Sequence, residues 1–390
     1  MNVGGGATID GLTISQPYTK TLTLNTSLTI KDNGDRQSTG LLVSGGASNT
    51  PLIAQPNGSA SAINLYGQMN WTYGAIGSQT NGASNLNLYA GSSGTAAVFF
   101  GGSSSAQEYL GDNLTINNGV TVTLTGTDNG LVMTNSASIN NQMGTLNIQA
   151  GGGGGGGITN ASGSTGTLTS DTEVFVTGAT GTSYVQCIPL FNTGHFWVGD
   201  ANGTNTKLVI QGSLGEYNVG FYNLGSVELY TGANLDPRSG FAQDSGSISV
   251  LGAVGTGYLC YDAPAGGADV AINRGYVGFA ESDQTLETGG SFSMTGGNMS
   301  IAIDVTAGTM DQVQCYSGNL SIGGGVSILV NTIDIPPQGM PTADWVIFQC
   351  LLNGTVSINP STINWDWVGQ AYSFGNNAQQ FWLHSTAPGG

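Results

Sequence analysis

Apolar residues recur along this chain in short alternating runs that end at Gly, Asn or Ser, and helical spacing is nearly absent. Alternation over such lengths predicts strands with one buried face, and the small polar residues between the runs predict turns. The sequence therefore predicts an all-β protein with less than about 10% helix.

Five runs between residues 206 and 296 recur at a nearly constant spacing. Their first residues are 19, 21, 22 and 22 positions apart, a period of about 21. The runs are Leu208-Val209-Ile210, Val227-Glu228-Leu229, Ile248-Ser249-Val250, Val270-Ala271-Ile272 and Phe292-Ser293-Met294. Earlier in the chain, Leu41 precedes Ile63 by 22 residues, and Ile63 precedes Leu86 by 23. Such periods predict an elongated β-solenoid, β-helix or fibre-like body, with tandem β-sandwiches as the alternative.

Seven consecutive glycines at 151–157 mark the clearest boundary and predict a linker, since glycine brings high backbone entropy and no side chain to pack. We predict a fibre-like β domain over 1–150 that takes part in oligomer contacts. Solenoid repeats are predicted over 158–295, followed by a β-helix end and cap over 296–390. Four of the six tryptophans lie in this last segment, where bulky rings can cover the final strands.

Charge excludes two classes of partner. Only 7% of the residues are charged, and six Lys and Arg stand against 23 Asp and Glu, a formal net charge of −17. Nucleic-acid binding needs cations that neutralise phosphates, and an anionic membrane surface would repel this chain. The sequence contains no run of 18 apolar residues, so no segment is predicted to insert into a membrane. The N-terminus has no signal-peptide pattern, so we expect either that a leader has been removed or that the protein leaves the cell inside a virus particle.

The cysteines and the acidic loops do not predict a cofactor or a metal. Cysteine spacing lacks CxxC, and the sequence has only two histidines, which argues against zinc. The loops at 32–35 and 200–205 resemble calcium loops but lack the closing Glu, so Asx turns are the simpler interpretation. We expect the cysteines to be small buried hydrophobes, with a disulfide between neighbouring repeats as the alternative. They are Cys187, Cys260, Cys315 and Cys350.

No catalytic set is predicted, and we expect a non-enzymatic protein. The carboxylates of Asp334, Asp344 and Asp366 lie near aromatic residues and would suit a glycan-cleaving enzyme if two of them converged. Spacing alone does not bring any pair together.

An aromatic group near the C-terminus is the candidate binding site. It comprises Trp365, Trp367, Tyr372 and Trp382. Alternation places the two indoles around Asp366 on one face of a strand. That face is either a lid over the core or an exposed platform for carbohydrate.

Two segments resemble known families. The first resembles short sequence motifs of phage tail fibres and related virion appendages. It comprises Asn87-Leu88-Tyr89-Ala90-Gly91-Ser92-Ser93-Gly94 and Val98-Phe99-Phe100-Gly101-Gly102. The stretches 296–304, 311–313 and 318–328 are similar to the C-terminal β-helix repeats of autotransporter passengers, and 198–203 followed by 208–210 resembles the openings of such repeats. The second resemblance implies β-helical architecture only.

These observations predict a structural protein of a virion surface, such as a tail fibre, spike or decoration subunit. The expected partners are copies of itself in a trimer or filament, other virion proteins, and a host cell-surface glycan. A secreted prokaryotic adhesin or extracellular filament subunit is the alternative, and a glycan-cleaving spike enzyme is the third hypothesis.

Overall fold

The computed structural model contains strands joined by turns and no helix among the residues that it describes, so the predicted all-β class is confirmed. These residues are 2–3, 6–15, 22–24, 26–31, 40–44, 51–54, 62–72, 74–77, 85–91, 94, 96–102, 108–111, 113–126, 131–133, 138–141, 145–149, 157–160, 167–170, 173–177, 181–186, 190–199, 206–211, 219–262, 267–337, 339, 341–359, 363–366 and 372–386. Two compact units divide the chain: unit 1 comprises 1–196 and 209–212, and unit 2 comprises 197–208 and 213–390.

In unit 1, every third strand belongs to the same row, and neighbours within a row pair in parallel. The first row is β1 (Asn2–Val3), β4 (Leu22–Leu24), β7 (Pro51–Ala54), β10 (Gly74–Ile76), β13 (Glu108–Leu110), β16 (Leu131–Met133), β19 (Gly157–Asn160) and β22 (Gly181–Gln186). The second is β2 (Ala7–Ile9), β5 (Leu28–Ile30), β8 (Ala62–Tyr66), β11 (Asn85–Tyr89), β14 (Asn113–Ile116), β17 (Ser138–Asn141), β20 (Thr167–Ser170) and β23 (Leu190–Asn192). The third is β3 (Leu12–Ser15), β6 (Leu41–Ser44), β9 (Met69–Trp71), β12 (Ala96–Gly102), β15 (Val120–Gly126), β18 (Thr145–Gln149) and β21 (Glu173–Thr177).

Unit 2 repeats this three-row pairing. Its first row is β28 (Asn234–Pro237), β31 (Gly255–Leu259), β34 (Gln284–Thr288), β37 (Gln312–Cys315) and β39 (Ala343–Cys350). The second is β26 (Phe221–Asn223), β29 (Phe241–Gln243), β32 (Val270–Ile272) and β40 (Val356–Ile358), and the third is β27 (Ser226–Tyr230), β30 (Ser247–Leu251), β33 (Tyr276–Phe279) and β41 (Ile363–Asp366). Two long strands, β35 (Phe292–Asp304) and β38 (Leu320–Ile333), contribute to both the second and third rows. β24 (His195–Val198) and β25 (Thr206–Gln211) are each divided between the units.

The last strands of unit 2 switch to antiparallel pairing. β43 (Gln380–Ser385) pairs antiparallel with β39, and β42 (Tyr372–Asn376) pairs antiparallel with β43. Elsewhere in the unit, the short β36 (Thr309–Met310) folds back antiparallel on β35. Where β39 pairs with β43, the indole of Trp345 is buried and donates a hydrogen bond to the Ser385 hydroxyl at 3.0 Å.

The alternating sequence pattern sets which side chains form the core. In the second row of unit 1, Ile63 and Leu86 are paired in register and buried, while Asn64 and Asn87 one position later are paired and partly exposed. Asn87 Nδ2 donates to Asn64 Oδ1 at 2.9 Å, so an amide hydrogen bond links these two strands on their outer face. Successive residues of a strand point to opposite faces, and this separates an aliphatic interior from an uncharged polar exterior.

The predicted repeat is correct for some runs and wrong for others. Ile63 pairs with Leu86, and Val227 pairs with Ile248, as equal spacing predicts. By contrast, Leu41 lies in the third row and pairs with Met69 rather than aligning with Ile63. Val270 pairs with Phe241 and Phe292 in the second row, whereas Ile248 belongs to the third. Strands of adjacent rows have similar composition, so similar spacings also link runs that are not equivalent.

The predicted linker at 151–157 falls outside the described residues except for Gly157, which begins β19. Strands on the two sides of this glycine run pair with each other. Ile139 of β17 pairs with Leu168 of β20, and Leu146 of β18 pairs with Val174 of β21.

Buried amide side chains close the turns between the second and third rows. In unit 1, Asn192 accepts from the Gly194 N–H and donates to its carbonyl, both at 3.2 Å. In unit 2, Asn223 makes the same pair of bonds with Gly225 at 3.2 and 3.1 Å. Both asparagine residues are completely buried. A buried amide is tolerated only when its polar groups are satisfied, and here the backbone of the turn satisfies them.

Gly246 tests how closely successive turns pack. Its φ is +77°, and a Cβ at this position would overlap the carbonyl oxygen of Gly225. We expect Gly246→Ala to lower the free energy of unfolding by at least ~2 kcal/mol, because backbone strain and a steric clash both act. Gly308 has a φ of +71° with open space around it, so Gly308→Ala isolates the strain, worth ~1 kcal/mol. Equal losses in chemical denaturation of the two variants would contradict the close approach.

Candidate functional site

The aromatic group predicted from sequence is only partly brought together. Trp365 on β41 is buried, and its indole N–H donates to the Thr332 hydroxyl at 2.7 Å. Trp382 on β43 is half-buried, and its ring lies over Gly375 of the neighbouring strand. Tyr372 begins β42, where its backbone pairs with Ser385, and Trp367 lies outside the described residues.

The three acids proposed for glycan cleavage lie on different elements. Asp344 on β39 is exposed and faces His384 of β43, with 2.7 Å between Oδ1 and Nδ1. Asp334 follows β38 in a left-handed conformation, φ +49°. Asp366 ends β41 opposite Asn331. Cys260, Cys315 and Cys350 are buried free thiols, while Cys187 and the loops 32–35 and 200–205 lie outside the described residues.

A second cluster, which we call the tyrosine–acid patch, lies along the first row of unit 2. It combines two of the six cations of the chain with three acids and three tyrosines. Its members are Lys207, Asp236, Arg238, Tyr258, Tyr261, Asp262, Glu287 and Tyr316.

Asp236 is the buried anchor of the patch. Its side chain has 0% exposure, and its Oδ2 lies 2.9 Å from both Lys207 Nζ and Arg238 Nε. The other carboxylate oxygen, Oδ1, is buried and has no hydrogen-bond partner among the described residues. Burial raises the pKa of Asp236, and the two cations oppose that rise. A buried carboxylate stays charged only with such compensation, so Lys207 and Arg238 are held in place by it.

Asp262 forms the outer edge of the ion cluster. Its Oδ1 lies 3.6 Å from Lys207 Nζ, and Arg238 forms a direct ion pair with it. Although partial burial opposes the shift, the hydrogen bond and charge of Arg238 lower the pKa of Asp262, with help from Lys207. Arg238 is 38% exposed, so its side chain reaches from the buried Asp236 carboxylate to the solvent.

Three tyrosines continue the patch beyond the ion cluster. The Tyr261 carbonyl accepts hydrogen bonds from Lys207 at 3.4 Å and from Asn234 at 2.9 Å, and this links the two parts. The Tyr261 ring centroid lies 4.9 Å from that of Tyr258 and 5.4 Å, edge-on, from that of Tyr316. All three tyrosines are partly exposed. Aromatic faces next to polar side chains form amphipathic contact surfaces.

Glu287 lies beside this aromatic group and accepts a hydrogen bond from Tyr261. Burial raises the pKa of Glu287, and a hydrogen bond from Tyr261 opposes the rise. Burial, followed by the charge of Glu287, raises the pKa of Tyr261 to about 12. At neutral pH the Tyr261 hydroxyl is therefore protonated and donates to Glu287. The patch presents fixed donors, acceptors and ring faces together.

Sequence reasoning missed this patch. Its residues come from β25, β28, β31 and β34 and from the turns after β28, β31 and β37, and only the strand register brings them together. One signal was available, because Asp236-Pro237-Arg238 places a cation next to an acid in a chain with six cations.

No group of three or more His, Cys, Asp or Glu side chains in the described part of the chain is arranged to hold a metal ion. Among the same residues, none lies in a helix with the length and apolarity of a membrane span. No protein-family model and no curated protein matches the chain.

Proposed function

We propose that this chain is a structural protein of a virion surface, a tail fibre, spike or decoration subunit, that contacts a host cell-surface glycan. The observation that carries the proposal is the three-row parallel pairing around aliphatic columns in each unit. Architecturally we interpret it as a β-solenoid with three strands per turn. Tandem sandwiches fit less well, since they are built from antiparallel sheets.

The exterior supports a surface role. Polar uncharged side chains such as Asn64, Asn87 and Thr115 cover the outer face of the second row in unit 1. Solubility at 7% charge therefore rests on amides and hydroxyls, which depend little on pH and salt. A surface of this kind suits a protein that works outside the cell.

Self-association is part of the proposal. In the described part of the chain, β2 pairs only with β5, and β3 only with β6, so each presents a second edge. Unprotected edges favour pairing with another chain. We propose that the N-terminal region joins copies of the chain into a homo-oligomer, either a closed trimer or an open filament.

The tyrosine–acid patch is the proposed glycan contact. Ring faces of Tyr258, Tyr261 and Tyr316 suit the apolar faces of sugar rings, while the partly exposed side chains of Arg238 and Asp262 suit their hydroxyls. The patch has two cations and three acids, which favours a neutral glycan over a strongly anionic one.

The location of the protein tests the proposed role on a virion surface. Immunogold labelling of the source culture should place the protein on virus particles. Labelling confined to the cell surface or extracellular filaments would favour the adhesin or filament alternative. The same purified protein should sediment as an oligomer and leave bound glycans intact. Cleaved glycan products would support the spike-enzyme hypothesis instead.

Glycan binding has its own test. On a panel of neutral glycans, we expect Tyr261→Ala to weaken binding of any glycan retained by the wild type about tenfold, equivalent to ~1.4 kcal/mol. Tyr66, stacked on Tyr89 at 4.8 Å in unit 1, is a matched control, and Tyr66→Ala should bind normally. If instead Trp382→Ala alone abolished binding, the contact would lie at the C-terminal aromatic group.

A further inference from the structure

We propose that Cys315 and Cys350 form a disulfide bond, a modification site that fastens the C-terminal strand β39 to β37. The inference is independent of the proposed function, because it rests on the geometry of the two strands alone.

Strand register places the two cysteines opposite each other. In the parallel pair of β37 and β39, Cys315 is the register partner of Cys350, and both are the last residues of their strands. Neighbouring strands lie about 4.8 Å apart, within the Cα–Cα range of roughly 4.4–6.8 Å that disulfides adopt. Both side chains point to the same interior face, with exposures of 0% and 2%. The register therefore brings the two backbones within the Cα–Cα separation that a disulfide can span.

The two thiols already interact. A hydrogen bond between them lowers the pKa of Cys350 to about 7 and raises the pKa of Cys315. The Thr288 hydroxyl lies 3.4 Å from the Cys315 sulfur on the other side. Either sulfur can act as the attacking thiolate, and the other then resolves the mixed disulfide.

Cys260 provides the contrast. It is also completely buried, but among the described residues its sulfur faces the Asp269 carbonyl at 3.9 Å and not a thiol. Burial raises its pKa well above the ordinary value. It follows that Cys260 should remain a thiol under conditions that oxidise the pair.

The oxidation consumes a small-molecule disulfide such as oxidised glutathione. The Cys350 thiolate attacks one sulfur of that disulfide, which releases one thiol and leaves a mixed disulfide on Cys350. The Cys315 thiolate then attacks the Cys350 sulfur and releases the second thiol. Two protein thiols lose two electrons and two protons, and the small disulfide is reduced to two thiols. Because both sulfurs are buried, exchange requires transient separation of β39 from β37 or must occur during folding.

The test uses the full chain with Cys187→Ala and Cys260→Ala, so that only the pair remains. After refolding with oxidised glutathione, we expect both thiols to be lost in a denaturing thiol titration. Peptide mapping should find 315 and 350 in one cross-linked species. The chain has no Lys or Arg after Arg274, so mapping requires chymotrypsin or pepsin rather than trypsin.

The oxidised form should also unfold at a midpoint about 3–10 °C above the reduced form, and Cys350→Ala should abolish that difference. Persistent thiols, glutathione adducts only, or links between chains would overturn the proposal. Peptide mapping of the wild-type chain decides the question even if the alanine variant does not fold. Cys260 should carry no link in that map.

Discussion

Replacing Phe241 with alanine should lower the free energy of unfolding by ~3–5 kcal/mol, the range for a large buried aromatic side chain. Phe241 lies on β29 with 0% exposure. Its ring stacks on that of Phe221 at 5.3 Å, and its backbone is paired with Phe221 on one side and Val270 on the other. Removing one ring from this column opens a cavity in contact with both neighbouring strands, which can close only by shifting them.

Chemical denaturation of matched variants measures this effect. Tyr276 on β33 is 39% exposed, so Tyr276→Ala removes an aromatic side chain of similar size from the surface and should cost less than ~1 kcal/mol. Hydrogen exchange should show the loss of protection centred on β26, β29 and β32, since β29 pairs with the other two strands. Equal destabilisation by the two variants would mean that the column is not the stabilising core.

The inside and outside of the strands were predictable from sequence because alternation has a fixed period of two. Ile63 and Leu86 are buried and paired at a spacing of 23 residues. Row membership was less predictable. Strands of the three rows carry similar short apolar runs, so the interval from Leu41 to Ile63 looked equivalent although the two lie in different rows.

The candidate site depends on register and was therefore largely hidden. Lys207 and Asp236 are 29 positions apart and meet at 2.9 Å, whereas no local motif joins them. For Trp365 and Trp367, the sequence predicted that both rings lie on one face of a strand. It did not predict whether that face covers the core or is exposed. Burial of Trp365 is set by strands more than 30 residues away, including Thr332 on β38.

The surroundings of the buried acids also depend on strand register. Among these acids, Asp311 has the clearest consequence for stability. Its carboxylate is 1% exposed and accepts the backbone N–H groups of Gln284 at 3.1 Å and Ala302 at 2.7 Å. Burial raises the pKa of Asp311 from 3.8 to about 6, against the effect of those two hydrogen bonds. The folded state therefore holds this proton more tightly than the unfolded chain does.

A raised pKa stabilises the fold at low pH. The contribution of Asp311 is fully present below the unfolded pKa of 3.8 and is lost as pH rises through about 6. The difference of roughly two pKa units corresponds to ~3 kcal/mol between about pH 4 and pH 8. Burial also raises the pKa values of Asp236 and Glu287, and these groups add to the same trend.

We therefore expect the wild-type protein to be more stable near pH 4.5 than near pH 8, and Asp311→Asn to remove ~2 kcal/mol of that difference, since part of the contribution is already lost at pH 4.5. Urea denaturation across this range measures it. Asp244 is the control, because a hydrogen bond from Tyr222 lowers its pKa. Its stabilising contribution is lost only as pH falls below the ordinary range, so Asp244→Asn should leave the slope between pH 5 and pH 8 unchanged. An unaltered pH dependence in Asp311→Asn would show that this carboxyl group is not the buried acid that titrates.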